Sequence, residues 1–137
     1  MRLKEGDKIQ GGAYDGFEVI SVYTREQAIE DGFLVDVSTT AKEAGFRYSV
    51  AVTRAVWDTY IVPDEKARAW GQGEDGRLWD TLWMLMWEIR QGGESEILYK
   101  LYFVMKEKQR RLVTLKAVCG PGDDGEPVIT IMLPEED

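Results

Sequence analysis

The stretch from Asp75 to Gln91 constrains this chain more than any other. It reads Asp-Gly-Arg-Leu-Trp-Asp-Thr-Leu-Trp-Met-Leu-Met-Trp-Glu-Ile-Arg-Gln and holds three of the five tryptophans and two of the five methionines. At about 100° per residue, Leu78, Leu82, Leu85 and Ile89 share one side of a helix, and Trp79, Trp83, Met86 and Trp87 carry the apolar arc past about 180°. Only Asp80, Thr81 and Glu88 form a clearly polar strip. An arc that wide predicts a helix covered on most sides. Asp75 is the expected N-cap and Gly92-Gly93 the expected stop. The run is too short and too charged to span a membrane. Trp79, Trp83 and Trp87 sit four apart and make one ridge. The first expectation for that ridge is core packing. The alternative is an aromatic wall for a planar ligand or a partner, because an indole N–H needs an acceptor and favours a position near water.

Such a helix needs a surface to lie on, and the C-terminal third supplies one. Ile97–Met105, Arg111–Cys119 and Pro127–Leu133 are rich in β-branched and aromatic residues and alternate with a period of two. A charged turn at Lys106–Arg110 and a Gly- and Asp-rich loop at Gly120–Glu126 separate them. Short links between consecutive strands predict an antiparallel meander. The expected fold is therefore α+β: helices in the N-terminal two-thirds packed on a C-terminal three-stranded antiparallel meander, with the Trp-rich helix at the centre. Upstream, Thr24 and Gln27 form a capping box for a helix from Arg25 to Asp31, stopped by Gly32. Phe33–Ser38 reads as a strand, followed by a single-turn helix capped by Thr39 or Thr40 and ended by Gly45. Ser49–Thr53 fits a short strand. The spacing of Val52, Val56 and Tyr60 fits a helical period better, so a helix ending at Pro63 is favoured. A helical turn is expected over Glu65–Trp70. Residues 1–16 read as a loosely tied arm or a hairpin, and the short apolar Phe17–Tyr23 as a strand or the first turn of a helix. No linker or repeat divides the 137 residues, which are expected to form one domain.

Composition narrows the chemistry. There is no histidine, so the commonest neutral-pH base and metal ligand is missing, and no Ser-His or Cys-His pair can be built. One cysteine, Cys119, permits no intrachain disulfide, and with no leader-like N-terminus the expected compartment is the cytoplasm. Cys119 lies beside acids, an environment for a buried structural thiol rather than a reactive one. The net charge of −8 opposes direct nucleic-acid and anionic-membrane binding and suits a basic partner.

Two loops match G-x-G-x-x-G. Gly71-Gln-Gly-Glu-Asp-Gly76 precedes a helix, but its acids repel phosphate and no strand precedes it, so it reads as a loop and helix cap. Gly120-Pro-Gly-Asp-Asp-Gly125 leads into a strand. Asp123, Asp124 and Glu126 there are hard oxygen ligands of the kind that hold Ca²⁺ or Mg²⁺, although a turn explains Gly, Pro and Asp without a metal. No cofactor is expected. Asp123, Asp124 and Glu126 form one acidic group and Glu135, Glu136 and Asp137 another, with Glu26, Glu30 and Asp31 along the first helix. If the tail folds back near the loop, these make one acidic face.

Three segments carry a resemblance: Tyr23-Thr-Arg-Glu-Gln-Ala-Ile-Glu-Asp-Gly-Phe-Leu-Val-Asp-Val-Ser38, Arg77-Leu-Trp-Asp-Thr-Leu-Trp83, and Leu115 through Asp137. In these the chain resembles an uncharacterised bacterial domain family met on plasmids, prophages and other mobile elements. The resemblance implies an accessory protein of such an element and no activity. The leading functional expectation is a non-enzymatic protein that engages a basic host or element-encoded protein through Asp123, Asp124, Glu126, Glu135, Glu136 and Asp137. Antirestriction or another defence-blocking role fits that context. Two alternatives stand beside it: a carboxylate-based or metal-dependent small hydrolase, and a small-molecule-binding module built on Trp79, Trp83 or Trp87.

Overall fold

The computed structural model describes residues 23–69, 71, 73–104 and 109–136. The expected arm at 1–16, the apolar stretch at 17–22, most of the charged turn at 105–108 and the site residue Asp137 lie outside the described residues. The elements run α1 (Arg25–Glu30), β1 (Leu34–Asp36), α2 (Ser38–Glu43), β2 (Ser49–Thr53) and α3 (Arg54–Val56). α3 passes directly into a π-helical turn, Trp57–Ile61, and α4 (Glu65–Ala69), α5 (Glu74–Arg90), β3 (Glu96–Val104), β4 (Arg110–Pro121) and β5 (Pro127–Met132) follow.

The fold is α+β, but its sheet is not the expected three-stranded meander. It has five strands in the order β1-β2-β5-β4-β3. β3, β4 and β5 pair antiparallel as consecutive strands should, while β2 lies parallel to β5 with Val50 beside Ile129 and Val52 beside Ile131. β1 pairs antiparallel with β2 and forms the far edge. Two strands from the N-terminal half thus complete a mixed sheet, and the helices are interspersed with strands rather than gathered ahead of them.

The segment from Ser49 accounts for most of the difference. Its expected helix begins only after Thr53, whose hydroxyl accepts from Val56 N–H at 3.3 Å. Before that cap, Val50, Ala51 and Val52 are all buried, as in a strand covered on both faces. A fully buried strand loses its two-residue alternation, so the helical spacing beyond it dominated the pattern.

α5 lays Leu78, Leu82, Leu85 and Met86 on the sheet face formed by Val50, Val52, Tyr99, Leu101, Phe103, Leu115 and Ile131. Complete burial of a leucine such as Leu85 contributes about 1.5–3 kcal/mol. Tyr99 is buried in this layer, and its hydroxyl donates to Thr81 O at 3.1 Å. β5 sends Val128, Thr130 and Met132 to the opposite face, where α1 lies, held by the Arg25 guanidinium on Thr130 Oγ1 at 2.6 Å.

Helix ends follow local chemistry. The Thr24–Gln27 capping box is present at α1. α2 starts earlier than expected, at Ser38, because Asp36 Oδ1 accepts from the Ser38 N–H at 3.0 Å. α5 takes Gly73 as N-cap rather than Asp75, which sits inside its first turn with Glu74. Both carboxylates there suit the helix dipole. At the far end of α5, Gly92 adopts φ 97°, a left-handed stop that favours glycine.

Candidate functional site

Two surfaces stand out, and they lie on opposite faces of the sheet. The first is acidic. The β4–β5 loop is a tight turn in which Gly122 N–H donates to Glu126 O at 2.6 Å and Gly125 N–H to Gly122 O at 3.1 Å. A Cβ on Gly122 would meet Glu126 Oε1 at 1.8 Å, so a larger residue would have to displace the Glu126 side chain. This turn aims Asp123 at α1: Oδ1 accepts from Arg25 N–H at 2.8 Å and Oδ2 from Glu26 N–H at 2.9 Å. A carboxylate on the free N–H groups of a helix start is a stabilising cap. The Arg25 guanidinium continues inward to Thr130 Oγ1 and to Ile129 O at 2.8 Å. Burial lowers its pKa, against the opposing pull of Asp36, Asp123 and Glu126. Around it opens a cleft of about 330 Å³ lined by Glu26, Ile29, Glu30, Asp36, Ser49, Asp123, Glu126 and Val128.

The expected site residues divide between the two ends of β5. Asp123 and Glu126 join Glu26, Glu30 and Asp36 at the cleft. Asp124 is exposed beside them, and its N–H donates to Glu126 Oε2 at 3.0 Å. The tail goes elsewhere. Glu136 Oε2 accepts from Thr53 Oγ1 at 2.8 Å and from Leu133 N–H at 2.7 Å, and the Lys116 ammonium donates to Glu136 O. Glu135 is exposed there. The six residues of β5 separate tail from loop, roughly 20 Å at strand rise. The acidic face is built by loop and first helix, without the tail. Among the described residues, no three carboxylates or thiols are placed to hold a metal ion. Cys119 is half-buried, packed against the main core.

The second surface is apolar and runs along α5. Trp79, Trp83 and Trp87 are 38%, 47% and 52% exposed. Core packing, the first expectation for the ridge, is not what the fold does with it. Trp83 is nearly half exposed while Leu85, two residues on, is fully buried, and Trp79 stacks on Trp83 at 6.2 Å between ring centroids. The helix's apolar arc is wider than the one sheet face it covers. Thr81, counted with the polar strip, is fully buried and returns its hydroxyl to Arg77 O at 2.8 Å.

The edge strand β3 flanks α5, and its alternation turns Leu98 and Tyr102, with Leu112 opposite Tyr102 on β4, to the sheet face away from the helix, where all three are exposed. Between helix and strand runs a groove of about 290 Å³ lined by Asp80, Trp83, Met84, Lys100, Leu101, Tyr102 and Leu112. Asp80 is exposed as a residue, and partial desolvation of its carboxyl raises the pKa. Arg77, at the end of β3, is 3% exposed, lies over the Phe103 ring and donates to Tyr60 O at 2.8 Å and to Val104 O. Sequence reasoning did not single out Arg77, Asp80, Lys100, Tyr102 or Leu112. The available signal for Arg77 was its place among the leucines of the buried arc. For the groove there was none, because it joins residues brought together by packing.

The G-x-G-x-x-G segment follows α4 rather than a strand, and its last three residues, Glu74 to Gly76, lie in the first turn of α5. Among the described residues, no helix is long and apolar enough to cross a membrane. The chain belongs to a family of unknown function, DUF6573, whose sequence model matches residues 11–137. No curated protein and no solved structure matches the chain.

Proposed function

We propose that this protein is a non-enzymatic, protein-binding accessory factor, acting in the cytoplasm, whose partner is basic. The observation that carries this reading is the line of three exposed indoles on α5, two of them stacked on each other. Monomeric surfaces rarely leave so contiguous an apolar patch uncovered, and Trp and Tyr are the residues that most often anchor protein interfaces. The net charge of −8 sets the sign of the partner. Its acidic cleft, with Glu30, Asp36 and Glu126, adds long-range attraction that raises the encounter rate. Asp123 and Glu136 have internal duties as helix cap and tail anchor, so their contribution to a partner is secondary to their contribution to the fold. The resemblance to a mobile-element family supports a host or element-encoded partner, with the blocking of a host defence protein as the role such an accessory factor would play.

The test is affinity capture from bacterial lysate with the wild-type chain and with Trp79→Gln/Trp83→Gln/Trp87→Gln. The expected result is a basic protein held by wild type at low salt, released as ionic strength rises, and absent from the triple variant. Exposed charges lose most of their attraction beyond the screening length, about 8 Å at physiological salt. A bait that retains nothing at low salt, or a triple variant that captures the same protein equally, would overturn the reading.

A further inference from the structure

The edge strand β3 has an unfilled hydrogen-bonding row. In an antiparallel pair, directly opposed residues alternate between exchanging both backbone bonds and exchanging none. Cys119 N–H donates to Ser95 O at 2.7 Å, which makes that pair a bonded one. Counting along the register, Ile97, Tyr99, Leu101 and Phe103 bond to β4, while Leu98, Lys100, Tyr102 and Val104 aim their N–H and C=O groups away from it. The Arg77 guanidinium takes one of these outward carbonyls, Val104 O. At Leu98, Lys100 and Tyr102, no hydrogen bond from the described residues reaches the outward groups.

Natural edge strands are usually kept short, covered or kinked to prevent pairing. β3 is nine residues long with no proline, and it borders the groove under Trp83 and Met84. A strand beside a helix-walled groove is the geometry by which extended peptides add to a sheet: the backbone row supplies affinity, and the walls select alternate side chains.

We infer that β3 takes an extended segment of the partner as a sixth strand, with apolar side chains against Trp83 and Met84 and one basic side chain beside Asp80. The inference rests on the protein-binding reading above and names how the partner docks. Charge complementarity selects the occupant. Asp80 is the only carboxylate in the groove and has no ion pair among the described residues, so a cation on the helix-facing side of the segment is favoured. Lys100 stands on the other wall and excludes a second cation there. A second copy of the chain paired about the midpoint of β3 would set Lys100 against Lys100, a like-charge pair directly opposed across the ladder.

The probe is a display library of seven-residue peptides with arginine fixed at the centre and the other positions randomised, selected on the full chain. Supporting peptides slow hydrogen exchange at the amides of Leu98, Lys100 and Tyr102. They also weaken about tenfold or more when alternate amides are N-methylated, the loss expected for about 1.4 kcal/mol of backbone pairing. They lose affinity for Asp80→Asn and for Lys100→Pro. The latter removes an outward N–H without touching the β4 ladder, and circular dichroism checks that it folds; the N-methylated peptides test the same bonds on unaltered protein. A library with no enrichment, or peptides that leave the three amides exchanging freely, would overturn the inference. So would a dimer in which those amides are protected without peptide, which would assign the edge to a second copy. If a captured basic protein binds Lys100→Pro as tightly as wild type, the groove assignment fails and the protein-binding reading survives.

Discussion

Arg77 sits on α5 among the leucines of the buried arc, and its charge is held there by geometry. Its guanidinium satisfies the carbonyls of Tyr60 and Val104 and lies 5.7 Å from the Phe103 ring centroid. Burial lowers its pKa, with Asp64 pulling the other way, and an arginine stays charged at neutral pH regardless. Replacement by Met keeps the apolar stem and strands both carbonyls. The expected cost is about 3 kcal/mol, read as a lower urea midpoint at unchanged slope. Asp80 makes a pH-dependent prediction. Partial desolvation raises its folded-state pKa above the unfolded value, so the folded chain holds that proton more tightly. Its ionisation therefore destabilises the fold above the folded pKa, and the penalty disappears below the unfolded one. Asp80→Asn should raise Tm at pH 7, and the gap over wild type should close as pH falls through the carboxylate range.

On the scale of elements, α5 has two faces of similar hydrophobicity and different function. Leu85 is fully buried, and Leu85→Ala should cost about 2–5 kcal/mol. Trp83 is nearly half exposed, and Trp83→Gln should change stability by about 0.5 kcal/mol or less. Paired urea titrations of the two variants decide this, and equal losses would mean the ridge is core after all. The helix itself was legible from its composition and stop signal, since those are local properties. Its depth of burial was not, because an apolar arc says how much surface wants covering and not how much cover the remaining chain provides. The same distinction separates the two acidic groups. Their compositions are alike, yet Asp123 ends on the N-terminus of α1 and Glu136 on Thr53.

For the molecule as a whole, β5 occupies the middle of the sheet with β2 on one side and β4 on the other. Its backbone is paired on both edges, and Ile131 is fully buried. Native-state hydrogen exchange should find the β5 amides opening only with global unfolding, while Leu34–Asp36 at the far edge exchanges through local fraying. Early exchange in β5 would contradict a single cooperative sheet. The parallel β2–β5 pair joins segments separated by three helices, a π-helical turn and two strands. It brings the first helix beside the β4–β5 loop, and with it the acidic cleft.

The sequence alone determined the α+β class, the capping box at Thr24, the central helix, the three C-terminal strands with their buried and exposed alternation, and the exclusion of histidine chemistry. Each of these is decided within a dozen residues by propensity, periodicity or simple absence. The tertiary structure decided which strand sits at the centre, which side of α5 stays bare, and which carboxylates meet. Those outcomes depend on competition for a limited buried surface. The sheet offers α5 one face, so Leu78, Leu82 and Leu85 take it and the indoles remain outside.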